Sequence, residues 1–493
     1  MDSEHPYQPP AAALDGPAMA GASLAMARLH PPPLGAVPAG AGAAGGVSGT
    51  DEAPQGLVLA GTNRHKASEG GRSMTLVAVG TGLCAAAVVM RAMPLMTRQQ
   101  KELLVLYFQP FVPLGLMLAL WGAAVAAWDA ADVPWRACFD LKTRQAHMSA
   151  TTACGAAVGL GALVAAAAAA FANATAVTNI HRQAVAAGAA HAVSPPPVSP
   201  TAVVAALYLA VPVCVLWPYD ILNRAARRHF AATCARVFVA PLWCPRVTFS
   251  DFLLADILTS LAKSVADLER AMCHLVMTDR SDPLSRGMPV CGDVSWRVPL
   301  ALAVPSLVRF AQCLRAHRDA SLSRGLPMLR MTPDLWNAIK YTTALPVICL
   351  SYVHHHVTAD EWAAAWRPLW LFAAIVNTAY SVYWDVTRDW ELGAIHRVVD
   401  SRRLLLRHDL LYSRGFYYYL LVSNTVMRCA WTHKLSSHLR SRVLANMLAA
   451  CIEAVRRFQW AFVRIEVELR KIHAGDRELV FERATGSGNF VSV

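Results

Sequence analysis

Several windows of about 20 residues in this chain are almost free of charged side chains, and they constrain its fold more than any other feature. A helix of that length, rising about 1.5 Å per residue, crosses the hydrocarbon layer of a bilayer. In lipid every backbone N–H and C=O must be satisfied inside the protein, so these windows predict helices rather than open strands. They fall near residues 74–91, 103–128, 149–171, 201–217, 251–275, 298–314, 341–357, 367–386, 416–431 and 443–463. The expected fold class is therefore an all-α polytopic membrane protein, with about ten transmembrane helices. Composition agrees: 16% of the 493 residues are charged and the mean hydropathy is +0.35, against about a quarter charged in soluble domains. The net charge of +12 is what positive cytoplasmic loops produce. It argues for contact with membrane lipids and gives no support for a nucleic-acid partner.

Along the chain, residues 1–73 are rich in Ala, Gly and Pro without helical or strand period, which predicts a disordered N-terminal tail. No basic segment followed by an apolar core and a cleavage site opens the sequence, so a secretory signal is not expected. Residues 74–217 read as N-terminal scaffold helices, 218–475 as a charge-bearing membrane domain, and 476–493 as a C-terminal tail. Loop charge suggests the orientation. The expected loop 172–200 is poor in Lys and Arg and carries Asn173-Ala174-Thr175, an N-glycosylation acceptor, which favours a luminal position. The next loop carries Arg224, Arg227, Arg228 and Arg236, and basic clusters recur at Arg315–Arg330 and Arg388–Arg414. Both termini are then expected in the cytoplasm. Loop 91–101, with Arg91, Arg98 and Lys101, disagrees with that alternation. Gly155 and Gly159 are four apart, a spacing that serves close packing within one chain or a homodimer. Cys273 and Cys291 flank a polar loop, where a luminal position would permit a disulfide.

The later windows carry charges that a simple anchor avoids. The run Tyr383-Trp384-Asp385-Val386-Thr387-Arg388-Asp389-Trp390 closes one span with two carboxylates at helical i,i+4 spacing. Asp256, Arg309, Lys340, Arg428, Glu453, Arg456 and Arg457 also lie within or beside apolar windows. Singly, such residues serve as interhelical ion pairs or snorkelling side chains. Together they line a cavity more naturally than they face lipid. Arginine dominates the cations, and its fork suits phosphate or carboxylate. The acids would orient the guanidinium groups and moderate their grip, because conduction requires binding that is escapable. Trp431 lies one turn from Arg428, where it can cap such a site or serve as a packing aromatic.

These stretches resemble the EXS-domain family, the membrane part of the eukaryotic phosphate exporters that also serve as xenotropic retrovirus receptors. The resembling pieces span roughly residues 205–475 in family order: Trp217-Pro218-Tyr219-Asp220-Ile221, Phe249-Ser250-Asp251-Phe252 through Asp256, Arg309-Phe310-Ala311-Gln312-Cys313-Leu314-Arg315, Asn337-Ala338-Ile339-Lys340-Tyr341, the Tyr-Trp-Asp run, Arg428-Cys429-Ala430-Trp431-Thr432 and Arg456-Arg457-Phe458-Gln459-Trp460. The resemblance implies an inorganic phosphate channel or transporter and places Asp256, Arg309, Lys340, Tyr341, Asp385, Asp389, Arg428, Trp431, Arg456 and Arg457 on its pathway. Thr259 stands where the exporters more often have an amide, and Ala461 where they usually have Asn. The family's luminal loop favours the Cys273–Cys291 disulfide. The N-terminal 73 residues do not resemble the basic SPX sensor domain. The chain thus looks like the SPX-less, ER-retention-defective branch, which implies a Golgi membrane location, return of luminal phosphate to the cytosol and support for retention of Golgi glycosyltransferases. A trafficking protein without transport and a plasma-membrane exporter are the alternatives.

Other signals carry less. His354-His355-His356 has no carboxylate or Cys at ligand spacing, Gly80-Thr81-Gly82 lacks the third glycine of a nucleotide loop, and Tyr417-Tyr418-Tyr419 reads as an interfacial aromatic belt. No metal, cofactor or enzymatic activity is expected.

Overall fold

The computed structural model describes residues 77–139, 148–188, 194–220, 223–238, 247–277, 291–292, 294–325, 327, 330–392, 410–435 and 443–485. The expected tail 1–73, residues 486–493 and the loop arginines Arg397, Arg402, Arg403 and Arg407 lie outside them. Among the described residues all regular structure is helical, and the chain is an all-α multi-pass membrane protein. In chain order the main helices are α1 (Val77–Leu95), α2 (Arg98–Phe108), α3 (Phe111–Ala130), α4 (Ala150–Ala186), α5 (Pro200–Leu216), α6 (Arg224–Phe238), α7 (Phe249–Ser260), α8 (Ala262–Met277), α9 (Arg297–Arg324), α10 (Pro333–Thr342), α11 (Ala344–Val353), α12 (Arg367–Trp384), α13 (Arg414–Arg428) and α14 (Val443–Thr485).

Among the described residues four stretches are long and apolar enough to cross a bilayer: Val77–Leu95, Arg98–Ala130, Ala150–Ala186 and Arg297–Arg324, with Pro200–Leu216 a shorter apolar helix. The other expected spans are helical but interrupted or charged. Residues 251–275 split at Leu261 into α7 and α8, and 341–357 at Thr343 between α10 and α11. The 367–386 span widens into a π-helical turn over Asp385–Asp389, and 416–431 tightens into 3-10 helix after Arg428. Broken helices are tolerated at membrane depth only where protein or a polar cavity meets the freed backbone groups. Here side chains supply the stops and starts. Thr248 and Asp251 form a capping box that begins α7. Thr332 caps α10, with Pro333 at its first position. Gly325 ends α9 at φ 60°, a left-handed backbone that glycine adopts without strain.

Several expected boundaries move. The loop placed at 172–200 starts only after Ala186, because the Ala-rich run continues as helix. Asn173 is therefore an exposed residue in mid-helix, and the Thr175 hydroxyl donates to the Phe171 carbonyl at 2.7 Å. Likewise α9 runs to Arg324, so Arg315 and Arg318 are helical rather than in a loop. The C-terminal tail expected from 476 is helical as far as Thr485. At Gly159 an added Cβ would meet nothing, whereas at Gly122 of α3 it would lie 2.6 Å from the Cys154 Sγ of α4.

Packing divides the molecule. Helices α1, α2, α4 and α5 share an apolar cluster built on Leu103, Tyr107, Phe171, Val204 and Leu207. A second cluster joins α3, through Val125 and Trp128, to Trp390, Tyr417, Leu420, Trp460 and Phe462. The long α14 thus bridges the apolar scaffold and the charged half. Cys273 on α8 and Cys291 form a disulfide, 18 residues apart in sequence.

Candidate functional site

The broken ends of α7 and α10, the π turn after α12, the end of α13 and the middle of α14 meet in one region. Asp256 lies four residues before the end of α7 and is 1% exposed. Arg309 of α9 reaches it with Nε at 2.6 Å from Oδ1, and Arg457 of α14 with Nη1 at 3.5 Å from Oδ2. The Tyr341 hydroxyl donates to Asp256 Oδ1 at 2.7 Å and accepts from Arg309 Nε at 3.1 Å. The Arg309 guanidinium is held further by Gln312 Oε1, at 2.6 Å, and lies over the Phe252 ring.

Asp385, fully buried, is the second acidic node. Arg428 grips it through Nε and Nη2 at distances between 2.8 and 3.1 Å, and Arg456 Nη1 lies 3.6 Å away. Asn424, one turn before Arg428, donates to Asp385 Oδ2 at 3.1 Å and accepts from Arg456 Nη1 at 3.3 Å. Glu453 pairs with Arg456 at 2.9 Å. A third node joins Lys340 Nζ to Asp389 Oδ2 at 3.8 Å, while the Trp460 indole N–H donates to the same oxygen at 3.2 Å. The two acids of the Tyr-Trp-Asp run therefore serve different cations. The i→i+5 geometry of the turn, closed by Trp390 N donating to Asp385 O at 2.9 Å, carries them there.

One hydroxyl ties the first two nodes together. Ser260 Oγ, at the last residue of α7, accepts from Arg456 Nη2 at 3.1 Å and from Arg457 Nε at 3.0 Å. Thr259 Oγ1 accepts from Arg457 Nη2 at 3.1 Å and donates to the Asp256 carbonyl at 2.7 Å. A hydroxyl can do both, so Thr259 carries the arginine without an amide. The carboxyl end of a helix, with its unpaired carbonyls, is also a favourable place for guanidinium groups.

The structure thus gathers Asp256, Thr259, Arg309, Lys340, Tyr341, Asp385, Asp389, Arg428, Glu453, Arg456 and Arg457 into one lattice of hydrogen bonds, ion pairs and cation–π contacts, with one more cation than acids. Trp431 sits at its edge: its indole N–H donates to Thr378 Oγ1 at 2.9 Å, and its ring meets Trp370 edge-on. Sequence reasoning missed Ser260, Gln312 and Asn424 as members. Each lies three or four residues from a charged member on the same helix, Ser260 from Asp256, Gln312 from Arg309 and Asn424 from Arg428, and that spacing is the signal that finds them. It also misread Tyr417, which is fully buried rather than interfacial. Its hydroxyl donates to Glu466 at 2.5 Å, because that acid on α14 needs a donor.

A cavity of about 360 Å³ borders the lattice, with Arg309 and Asp389 in its wall. Among the described residues no cluster of His, Cys, Asp and Glu has the form of a metal site.

Residues 104–469 match the family described as the EXS family. The chain is 33% identical over 265 residues to SPX and EXS domain-containing protein 3 of Dictyostelium discoideum, covering 52% of this chain and 26% of the relative. It is 32% identical over 248 residues to solute carrier family 53 member 1 of Mus musculus, covering 47% and 34%. With phosphate transporter PHO1 homolog 8 of Arabidopsis thaliana it shares 31% over 273 residues, covering 54% and 33%. The matched segment thus spans about a quarter to a third of each relative's length.

Proposed function

The chain belongs to the EXS family, and from that premise we propose that it moves inorganic phosphate across a membrane through the buried Arg/Asp lattice. The observation that carries the reading is Arg309, Arg456 and Arg457, at 2–5% exposure, each held in place by hydroxyl, amide or carboxylate partners. Buried ion pairs are weak devices for stability, since apolar side chains of like volume do as well or better. Fixed guanidinium forks in a dry site are good devices for binding an oxyanion. The acids then act as internal competitors. Asp256 and Asp385 occupy the arginines when phosphate is absent and return to them as it leaves, which keeps the binding escapable. Tyr341 and Lys340 offer further donors at the broken end of α10. The relative named as a phosphate transporter supports the choice of anion.

The test is phosphate efflux from liposomes holding the purified full chain. Efflux that is lost in Arg457→Ala supports the reading, and normal efflux from a charge-reversed Arg456/Arg457 protein sinks the site assignment. The resemblance to the ER-retention-defective branch supports placing this transport in the Golgi, from lumen to cytosol. Localisation of the tagged protein at the plasma membrane instead would refute that placement. A role in retaining Golgi glycosyltransferases is, in this account, secondary to flux. Retention that survives in an Arg428→Ala variant without flux would show the opposite.

A further inference from the structure

The cavity beside the lattice has members of its own. Besides Arg309 and Asp389, its wall includes Arg388 from the π turn, Arg464 from α14 and Asn337 from α10. The geometry points to this cavity as a second binding station for a tetrahedral oxyanion, in which Arg388, Arg464 and Asn337 hold phosphate that is still partly hydrated. The inference rests on the reading of the lattice as a phosphate pathway and names a step next to it.

Three observations lead there. The buried Asn337 Oδ1 has no hydrogen-bond partner among the described residues. Buried polar atoms are nearly always paired, so an orphaned amide on a cavity wall marks a place for a ligand or its water. Its oxygen and nitrogen exchange by a flip, so the same group can accept from a protonated phosphate or donate to an ionised one. Arg388 is exposed and makes no ion pair among the described residues, with the Trp384 ring 6.0 Å from its guanidinium carbon. It lies in the same π turn as Asp385 and Asp389, so the turn that feeds acids into the lattice gives its cation to the cavity. Arg464 is braced by the Phe249 and Phe252 rings, at 5.3 and 4.7 Å, and by Glu468 at 3.1 Å. A guanidinium fixed by aromatic faces needs little further ordering to bind.

The acids in the wall do not cancel this. Glu391 is taken by Lys471 at 3.3 Å, and Asp389 by Lys340 and Trp460. Asp334 lies in the first turn of α10, where the helix dipole stabilises it. The volume is on the order of ten water molecules, so an oxyanion fits there with part of its hydration shell. The lattice beyond is more buried, with Arg309, Arg456 and Arg457 at 2–5% exposure. A wet station in front of a more buried one divides the loss of hydration into two steps, and conduction favours several moderate sites over a single tight one.

The experiment compares Asn337→Leu and Arg388→Gln, singly and together, in the full chain. Phosphate flux in liposomes is measured with phosphate presented on either side, alongside binding of radiolabelled inorganic phosphate to the solubilised protein. For the double variant the half-saturating phosphate rises about tenfold from the cavity side and by less than about twofold from the other, as expected for losing one charge-assisted contact. An equal shift from both sides, or none, overturns the station. Binding to Arg457→Gln separates the two readings. Residual phosphate binding that disappears when Asn337→Leu and Arg388→Gln are added supports the station, even if wild-type flux proves absent and the transport reading fails. Lattice-dependent flux with binding indifferent to both residues leaves transport standing and overturns the station.

Discussion

The two parts of this chain meet the demands of a bilayer in opposite ways. Up to Leu216 the buried side chains are apolar, with Gln100 and Thr175 the polar exceptions among the described residues. From Phe249 onward Asp256, Arg309, Lys340, Asp385, Asp389, Arg456 and Arg457 are buried at 0–7% exposure. The first part needs only shape: small residues where helices meet and apolar contacts such as Tyr107 with Phe171. The second gives up helix continuity at Leu261, Thr343 and Asp385. It spends what the scaffold saves, since a buried charge is tolerable only when fully partnered. The difference teaches where function lies, because the breaks after α7, α10 and α12 fall beside Asp256, Lys340 and Asp385, where they meet arginines carried on the unbroken α9 and α14.

That comparison can be broken at several places. The largest effect is expected at Arg309→Met, which leaves Asp256 without its 2.6 Å partner. The fold should lose about 3–5 kcal/mol in thermal unfolding, and liposome efflux should be lost. Next, Ser260→Ala removes the oxygen that receives both Arg456 and Arg457. Efflux should fall about tenfold, with a stability loss on the order of 1–3 kcal/mol. A loss of stability with unchanged efflux would make Ser260 merely structural. In the scaffold, Gly122→Val drives a side chain into Cys154 and should cost about 1–3 kcal/mol, while efflux per folded molecule persists. Collapse of that specific flux would erase the distinction between the two parts. The smallest change is expected at Glu466→Gln. Its amide oxygen can still accept from Tyr417, but the Leu411 N–H loses its acceptor and the 3.8 Å pair with Arg470 is lost, a matter of about 1–2 kcal/mol in unfolding.

Much of this was legible in the sequence. Charge-free windows of membrane length predict helices because lipid leaves the backbone no other choice. Asp256, Arg309, Lys340, Arg428 and Arg457 announced themselves as charges where lipid would forbid them. The break at Leu261 was not legible, because no Gly or Pro marks it, whereas the one at Thr343 has its signal in Pro346, which cannot donate to the Thr342 carbonyl. The parting of Asp385 from Asp389 was not legible either. Spacing of i,i+4 puts them on one helical face, and only the π turn assigns one to Arg428 and the other to Lys340. Asn173 misled for the opposite reason: a local acceptor motif says nothing of the helix that runs through it. Tyr417 misled because burial of Glu466 on a distant helix decides where its hydroxyl points.

The central claim is that the buried charges serve anion movement rather than folding. It is tested most directly by replacing one ion pair with apolar side chains of similar size, Asp385→Leu together with Arg428→Met, and measuring thermal stability and phosphate efflux on the same preparation. Arg456 keeps Glu453, Asn424 and Ser260 in that variant, so no cation is stranded. The account predicts an unfolding temperature equal to or above that of the wild type, with efflux abolished. A folded variant that still releases phosphate at the wild-type rate would contradict it.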